Sequence, residues 1–261
     1  MEQENGSYLA TMLCMYALFE FLLRRAFLVS RGVMVQGIVL LSLLLLGTSG
    51  FLSWKLAGLY GALALLYVLC ESTSSTLTRR APTQMLELFI AKQILMVGLF
   101  VLLWRFALPI IPNAWYTTVE RSLLQTVFPT LTLGREKWPM ALLIMAAYFF
   151  VVDGGTKFVR GVLDKFPGLY TAVTTKLNKQ GGSEHEENVG EWIGVLERII
   201  ALTFILTGSF TALAFVLTAK SIARFKELED KQFSEYYILG TSASLIVALF
   251  AGMAIRLLFG L

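Results

Sequence analysis

Four stretches of this chain, Gly37–Leu46, Gly58–Cys70, Ile94–Trp104 and Ile199–Leu217, contain no charged residue. Extended over their apolar flanks, several such runs reach the roughly 20 residues that a helix needs to cross a hydrocarbon core about 30 Å thick. One run of this kind fits a buried helix of a soluble protein, but about six or seven do not. Of the 261 residues, 56% are hydrophobic and only 15% charged, where soluble domains carry about a quarter. Mean hydropathy is +0.69. Strand-type alternation is absent, and in lipid only helices or closed barrels satisfy the backbone. The expected fold is all-α: a polytopic transmembrane bundle of about seven spans, at 8–28, 33–52, 54–76, 85–108, 139–160, 192–218 and 236–260.

The residues before the first run are acidic (Glu2, Glu4), and the run ends in Arg24-Arg25 where a signal peptide has a small-residue cleavage site. It therefore reads as a retained span. Cys14 and Cys70 fall inside spans and read as small apolar packing residues, not as a disulfide. Between spans four and five, Trp115, Val119, Leu123 and Val127 recur every fourth residue. That spacing predicts a short interfacial helix near 114–127. The segment 161–190, with Lys-Gln-Gly-Gly-Ser-Glu-His-Glu-Glu at its heart, reads as a polar linker. It divides a five-span part, 1–160, from a two-span part, 191–261.

Net charge is +4 and the sequence pI about 9.1, which in such a chain points to anionic lipid as the partner, not to nucleic acid. A homo-oligomer or a partner membrane protein also fits. The first loop holds Arg24, Arg25 and Arg31, and the N-terminal tail has no Lys or Arg. The positive-inside tendency then puts the N-terminus outside and the C-terminus inside. Summed over all loops, ten basic residues face nine, so the first loop carries that choice.

With these spans, Glu20, Glu71, Glu87, Lys92, Asp153, Lys157, Glu197, Arg198 and Arg256 all fall at similar depth, forming one polar layer. Charges at such depth pair with one another or mark a pathway, so the layer is either structural pairing or a functional cavity. Glu197 and Arg198 are adjacent, point about 100° apart on a helix, and must each seek a partner elsewhere. Asp153-Gly154-Gly155 allows close backbone approach or local unwinding beside a carboxylate; a plain packing contact is the alternative. Lys220 and Arg224, one turn apart, suit an anionic headgroup or a pairing with Glu235. Gly240, Ser244, Ala248 and Gly252 make a small-residue stripe for helix packing. His185 is the lone histidine and reads as a solvated linker residue. No metal-ligand spacing, phosphate loop or catalytic motif is present, so no cofactor, metal or catalytic residue is assigned.

Gly190-Glu191-Trp192-Ile193-Gly194, Leu196-Glu197-Arg198, Ala219-Lys220-Ser221-Ile222-Ala223-Arg224-Phe225, Glu235-Tyr236 and Gly240-Thr241 together resemble the bacterial domain of unknown function 3307 family. The likeness is carried by the C-terminal quarter; further upstream only hydrophobic layout and scattered polar positions are similar. It implies a multi-pass protein of the bacterial cytoplasmic membrane with no assigned activity. Family members often carry His-x-x-x-Asp patterns and an Asp-Gln-x-x-His. Here the matching places hold Glu20, Cys70-Glu71, and Lys92-Gln93 with Met96. If the family residues bind metal, this chain has lost the ligands. The leading expectation is a small transporter or channel-like component, or a membrane subunit of a larger system, with Glu197, Arg198, Lys220, Arg224, Asp153 and Glu235 as its polar site. The alternatives are a membrane-embedded enzyme acting on a lipid or prenyl phosphate, with Asp153 or Glu197 as acid–base, and a structural or assembly protein.

Overall fold

The computed structural model describes residues 2–21, 23, 33–47, 54–80, 85–106, 138–169 and 184–260. Every regular element among them is helical, as the apolar runs require. In order these are α1 (Glu2–Ala17), α2 (Val33–Gly47), α3 (Trp54–Arg80), α4 (Met85–Phe106), α5 (Trp138–Phe149), a π-turn (Phe150–Gly154), α6 (Gly155–Leu163), α7 (Glu184–Leu206), α8 (Phe210–Ala223) and α9 (Lys231–Phe259). A second π-helical stretch, 18–21, follows α1. The predicted interfacial helix at 114–127 lies outside the described residues.

The chain forms two compact units, one of Met1–Arg80 with Glu87–Ala146 and one of Ala81–Leu86 with Ala147–Leu261. The boundary between them falls within the fifth predicted span. The predicted linker, 161–190, is helical at both of its described ends. The α6 helix runs to Leu163, and α7 begins at Glu184, so residues 184–190, His185 included, are helical.

In the first unit, Met12, Tyr16, Phe19, Leu40, Leu44, Tyr60, Leu63, Tyr67, Met96 and Phe100 form the core. The α2 and α3 helices touch closely because Gly37 leaves room for Val68; a Cβ at Gly37 would lie 2.3 Å from the valine Cγ2. Outward-facing Met34, Ile38, Leu65 and Ile94 are large, apolar and exposed.

Among the described residues, two helices are long and apolar enough to cross a membrane, Pro139–Leu163 and Lys231–Phe259. The first is continuous through the π-turn. The α9 helix starts at Asp230, whose carboxylate accepts from the Phe233 amide at 3.0 Å, and stops at Gly260, whose φ of +66° ends the helix.

The predicted span 192–218 is not one span. It contains a reversal at Thr207-Gly208-Ser209, with Gly208 at φ +72°, a conformation glycine adopts without the Cβ penalty. The Ser209 amide closes the turn on the Phe204 carbonyl at 2.8 Å. The Thr207 hydroxyl donates to the Thr203 carbonyl at 3.0 Å. The α7 and α8 helices therefore form a hairpin. Side-chain contacts fix its direction: Lys220 of α8 meets Glu197 of α7 and Thr241 of α9. At the other end, Arg256 of α9 meets the Ile205 and Leu206 carbonyls. Hence α7 and α9 run the same way, with α8 antiparallel to both.

Candidate functional site

The π-turn at 18–21 carries Glu20, which is wholly buried. A carboxylate there has left water, so its stability depends on partners that replace hydration. Lys92 of α4 supplies one, with Nζ 2.6 Å from Glu20 Oε1 and 3.0 Å from Glu71 Oε2 of α3. The Tyr67 hydroxyl donates to Glu20 Oε2 at 2.9 Å, and Lys92 Nζ stands 5.0 Å from the centre of the Tyr67 ring. One turn below Glu20, the Tyr16 hydroxyl donates to Gln93 Oε1 at 3.1 Å. The triad side chains are 1%, 7% and 10% exposed for Glu20, Lys92 and Glu71. One ammonium thus lies between two carboxylates inside an aromatic core, where Phe19 and Tyr67 pack edge to face at 5.4 Å.

The second unit repeats the motif of a buried acid on a π-turn. Asp153 is buried on Phe150–Gly154 and pairs with Lys157 one turn on, at 2.7 Å. A π-turn widens the helix and frees carbonyls from the regular ladder. Arg198 of α7 takes up that freedom: Nε donates to the Val151 carbonyl at 2.9 Å and Nη2 to Thr156 Oγ1 at 2.6 Å. The Thr156 hydroxyl donates in turn to the Val152 carbonyl at 2.9 Å. The guanidinium reaches this position because residue 155 is glycine. A Cβ there would lie 2.8 Å from Arg198 Nε and 2.9 Å from its Cδ. At Asp153-Gly154-Gly155 the structure shows the close approach, at Gly155, while the helix widens by one π-turn and does not unwind.

Glu197 and Arg198 part, as adjacent helical positions must. Glu197 turns to Lys220 at 2.5 Å, and Lys220 also lies over the Tyr237 ring at 5.3 Å. Lys220 is therefore not a partner of Glu235. That carboxylate lies 3.9 Å from Lys231, and Arg224 lies 3.9 Å from Glu227; both pairs are exposed turn contacts of the kind worth little. The small-residue stripe of α9 divides. Ala248 and Gly252 are buried, with a Cβ at Gly252 falling 2.5 Å from Ile205 Cγ2, whereas Gly240 meets open space. The buried face runs instead through Ala243, Val247, Ala251 and Ile255.

The single polar layer does not survive in the second unit. Arg256 reaches the α7 C-terminus, about eight residues and so roughly 12 Å along the helix from Arg198. There it donates to the last carbonyls and complements the negative end of the helix. Beside it lies a largely apolar groove of about 490 Å³ lined by Phe210, Met253, Arg256, Leu257 and Gly260. In the first unit, Glu20, Glu71 and Lys92 do meet, while Glu87 is exposed. Sequence reasoning marked these three as charges in search of partners but did not see that one lysine joins both acids. Comparison with protein-family models, curated proteins and solved structures found no match, so the reading of these clusters rests on their own chemistry.

Proposed function

We propose that this chain is a polytopic integral membrane protein of transporter or channel type, acting alone or as a membrane subunit, with the Glu20–Lys92–Glu71 triad at its working centre. The observation that carries this reading is the combination of a buried acid–base–acid set with helices that turn large apolar side chains outward. Phe215, Phe250 and Leu257 are among the exposed residues of the second unit. Water-soluble surfaces do not present apolar side chains of that size in rows, whereas lipid accommodates them. Ionised groups within such helices are costly, and they are kept where an ion or substrate passes. The Asp153–Lys157 pair, with Arg198 on the carbonyls of the same π-turn, is the corresponding polar set of the second unit.

The α7–α8 hairpin changes the expected topology. Because α6 runs antiparallel to α7, Lys157, Arg160 and Lys165 lie towards the same end of the unit as Lys220, Arg224, Lys226 and Lys231. Counted that way, these seven described basic residues gather at one end, with Arg256 at the other and Arg198 buried between. The positive-inside tendency assigns the basic end to the cytoplasm, against anionic lipid, and sends the C-terminus to the opposite side. Single cysteines at 226 and 260, tested with a membrane-impermeant thiol reagent on intact cells, are expected to label at 260 only. Equal labelling at both removes the hairpin crossing from this reading.

The functional test is reconstitution of the full chain into liposomes carrying an imposed membrane potential, with interior dyes for protons, sodium and potassium. Ion entry above that of protein-free liposomes is the expected result, and its loss in Glu20→Gln ties it to the triad. Entry no faster than in empty vesicles, for any of the three ions, overturns the transport reading.

A further inference from the structure

Resting on that reading, we infer that the species handled by the first unit is the proton, passed between Glu71 and Glu20 through Lys92. The position a metal ion would take between the two carboxylates is already filled by an ammonium, at 2.6 Å from one and 3.0 Å from the other. A second cation would have to enter beside a like charge, which disfavours it. A proton needs no added room. It travels along hydrogen bonds that already exist, and the 2.6 Å bond from Lys92 to Glu20 is of the short, charge-assisted kind.

The exposures give the relay an order. Glu71, at 10%, is the more open end, and Glu20, at 1%, is the closed one. Lys92 breaks one N–H bond as Glu20 Oε1 forms an O–H bond. The proton held on Glu71 Oε2 then leaves that oxygen for the Lys92 nitrogen, restoring the ammonium. One proton has moved from Glu71 to Glu20, Lys92 ends as it began, and no electrons change hands. Beyond Glu20 the chain continues to the Tyr67 hydroxyl on Oε2. One turn from Glu20, the Tyr16 hydroxyl is bonded to Gln93, the neighbour of Lys92.

Lys92→Arg separates a relay from a merely structural cation. Arginine keeps the positive charge and pairs well with carboxylates, but its guanidinium does not release a proton in proteins. In the liposome assay, proton entry is expected to fall to the protein-free rate in Lys92→Arg while the variant remains folded by circular dichroism and size exclusion. Where that variant does not fold, Glu71→Gln, which keeps the shape and removes the entry acid, is expected to give the same loss. Proton entry persisting in either folded variant overturns the relay. Sodium or potassium entry without proton entry overturns the proton assignment but leaves the transport reading standing, and no entry of any ion removes both.

Discussion

Replacing Lys92 by methionine is expected to destabilise the first unit by about 3–5 kcal/mol, the usual cost of removing one partner from a buried ion pair. Methionine keeps much of the volume, so the loss is electrostatic and not a cavity effect. Glu20 and Glu71 would both remain, buried at 1% and 10% side-chain exposure, without the ammonium that bridges them. The Tyr67 hydroxyl still donates to Glu20, but one neutral donor does not replace a cation. The companion variant is the triple Glu20→Gln, Glu71→Gln, Lys92→Met. Since replacing a whole buried ionic set by neutral groups of similar shape is often close to neutral, it should recover most of the loss. Thermal or denaturant unfolding in detergent reads both. A cost for Lys92→Met below about 1 kcal/mol, the level of an exposed pair, refutes the buried triad.

The helices were legible because long uncharged apolar runs without strand-type alternation fit a helix and not a barrel. The break at Thr207-Gly208-Ser209 was not. None of its residues is charged, so a hydropathy window passes across it, and a glycine at positive φ looks in sequence like a packing glycine within a helix. That single turn accounts for most of the error in the second unit. Once α8 folds back on α7, Lys220 comes to Glu197 instead of Glu235, and Arg256 comes to the hairpin tip instead of the Asp153 level. The parting of Glu197 and Arg198 was readable from the helical repeat alone, whereas their partners depended on how the chain returned.

The π-turn at Glu20 had no sequence signature. Glu20 sits among Phe19, Phe21 and Leu22 with no glycine or proline near it, so nothing local distinguishes a widened turn from an ordinary one. What the sequence did contain was the charge itself. Glu20, Glu71 and Lys92 are the charges that converge. Asp153-Gly154-Gly155 was the more informative stretch, because a pair of glycines beside a buried acid limits the possibilities to close approach or unwinding.

Gly155→Ala is the sharpest test of that second network, because its sign should depend on its neighbour. In the wild-type background the new Cβ would lie 2.8 Å from Arg198 Nε and 2.9 Å from Cδ. A guanidinium gripped by the Val151 carbonyl and the Thr156 hydroxyl cannot give way by that much without releasing them. Overpacking of this kind costs about 1–3 kcal/mol, and leaving the Val151 carbonyl buried without its charged donor adds about 1–3 kcal/mol more. In an Arg198→Ala background both penalties are already gone or already incurred, and Val247 Cγ1 at 3.5 Å is ordinary contact. There the same substitution should stabilise, by up to about 1 kcal/mol, since alanine is the better helix former. A double-mutant cycle read by unfolding in detergent measures the inversion. If Gly155→Ala costs the same with and without Arg198, the glycine serves some other contact. The π-turn is then held by its own helix and not by the arginine that reaches across to it.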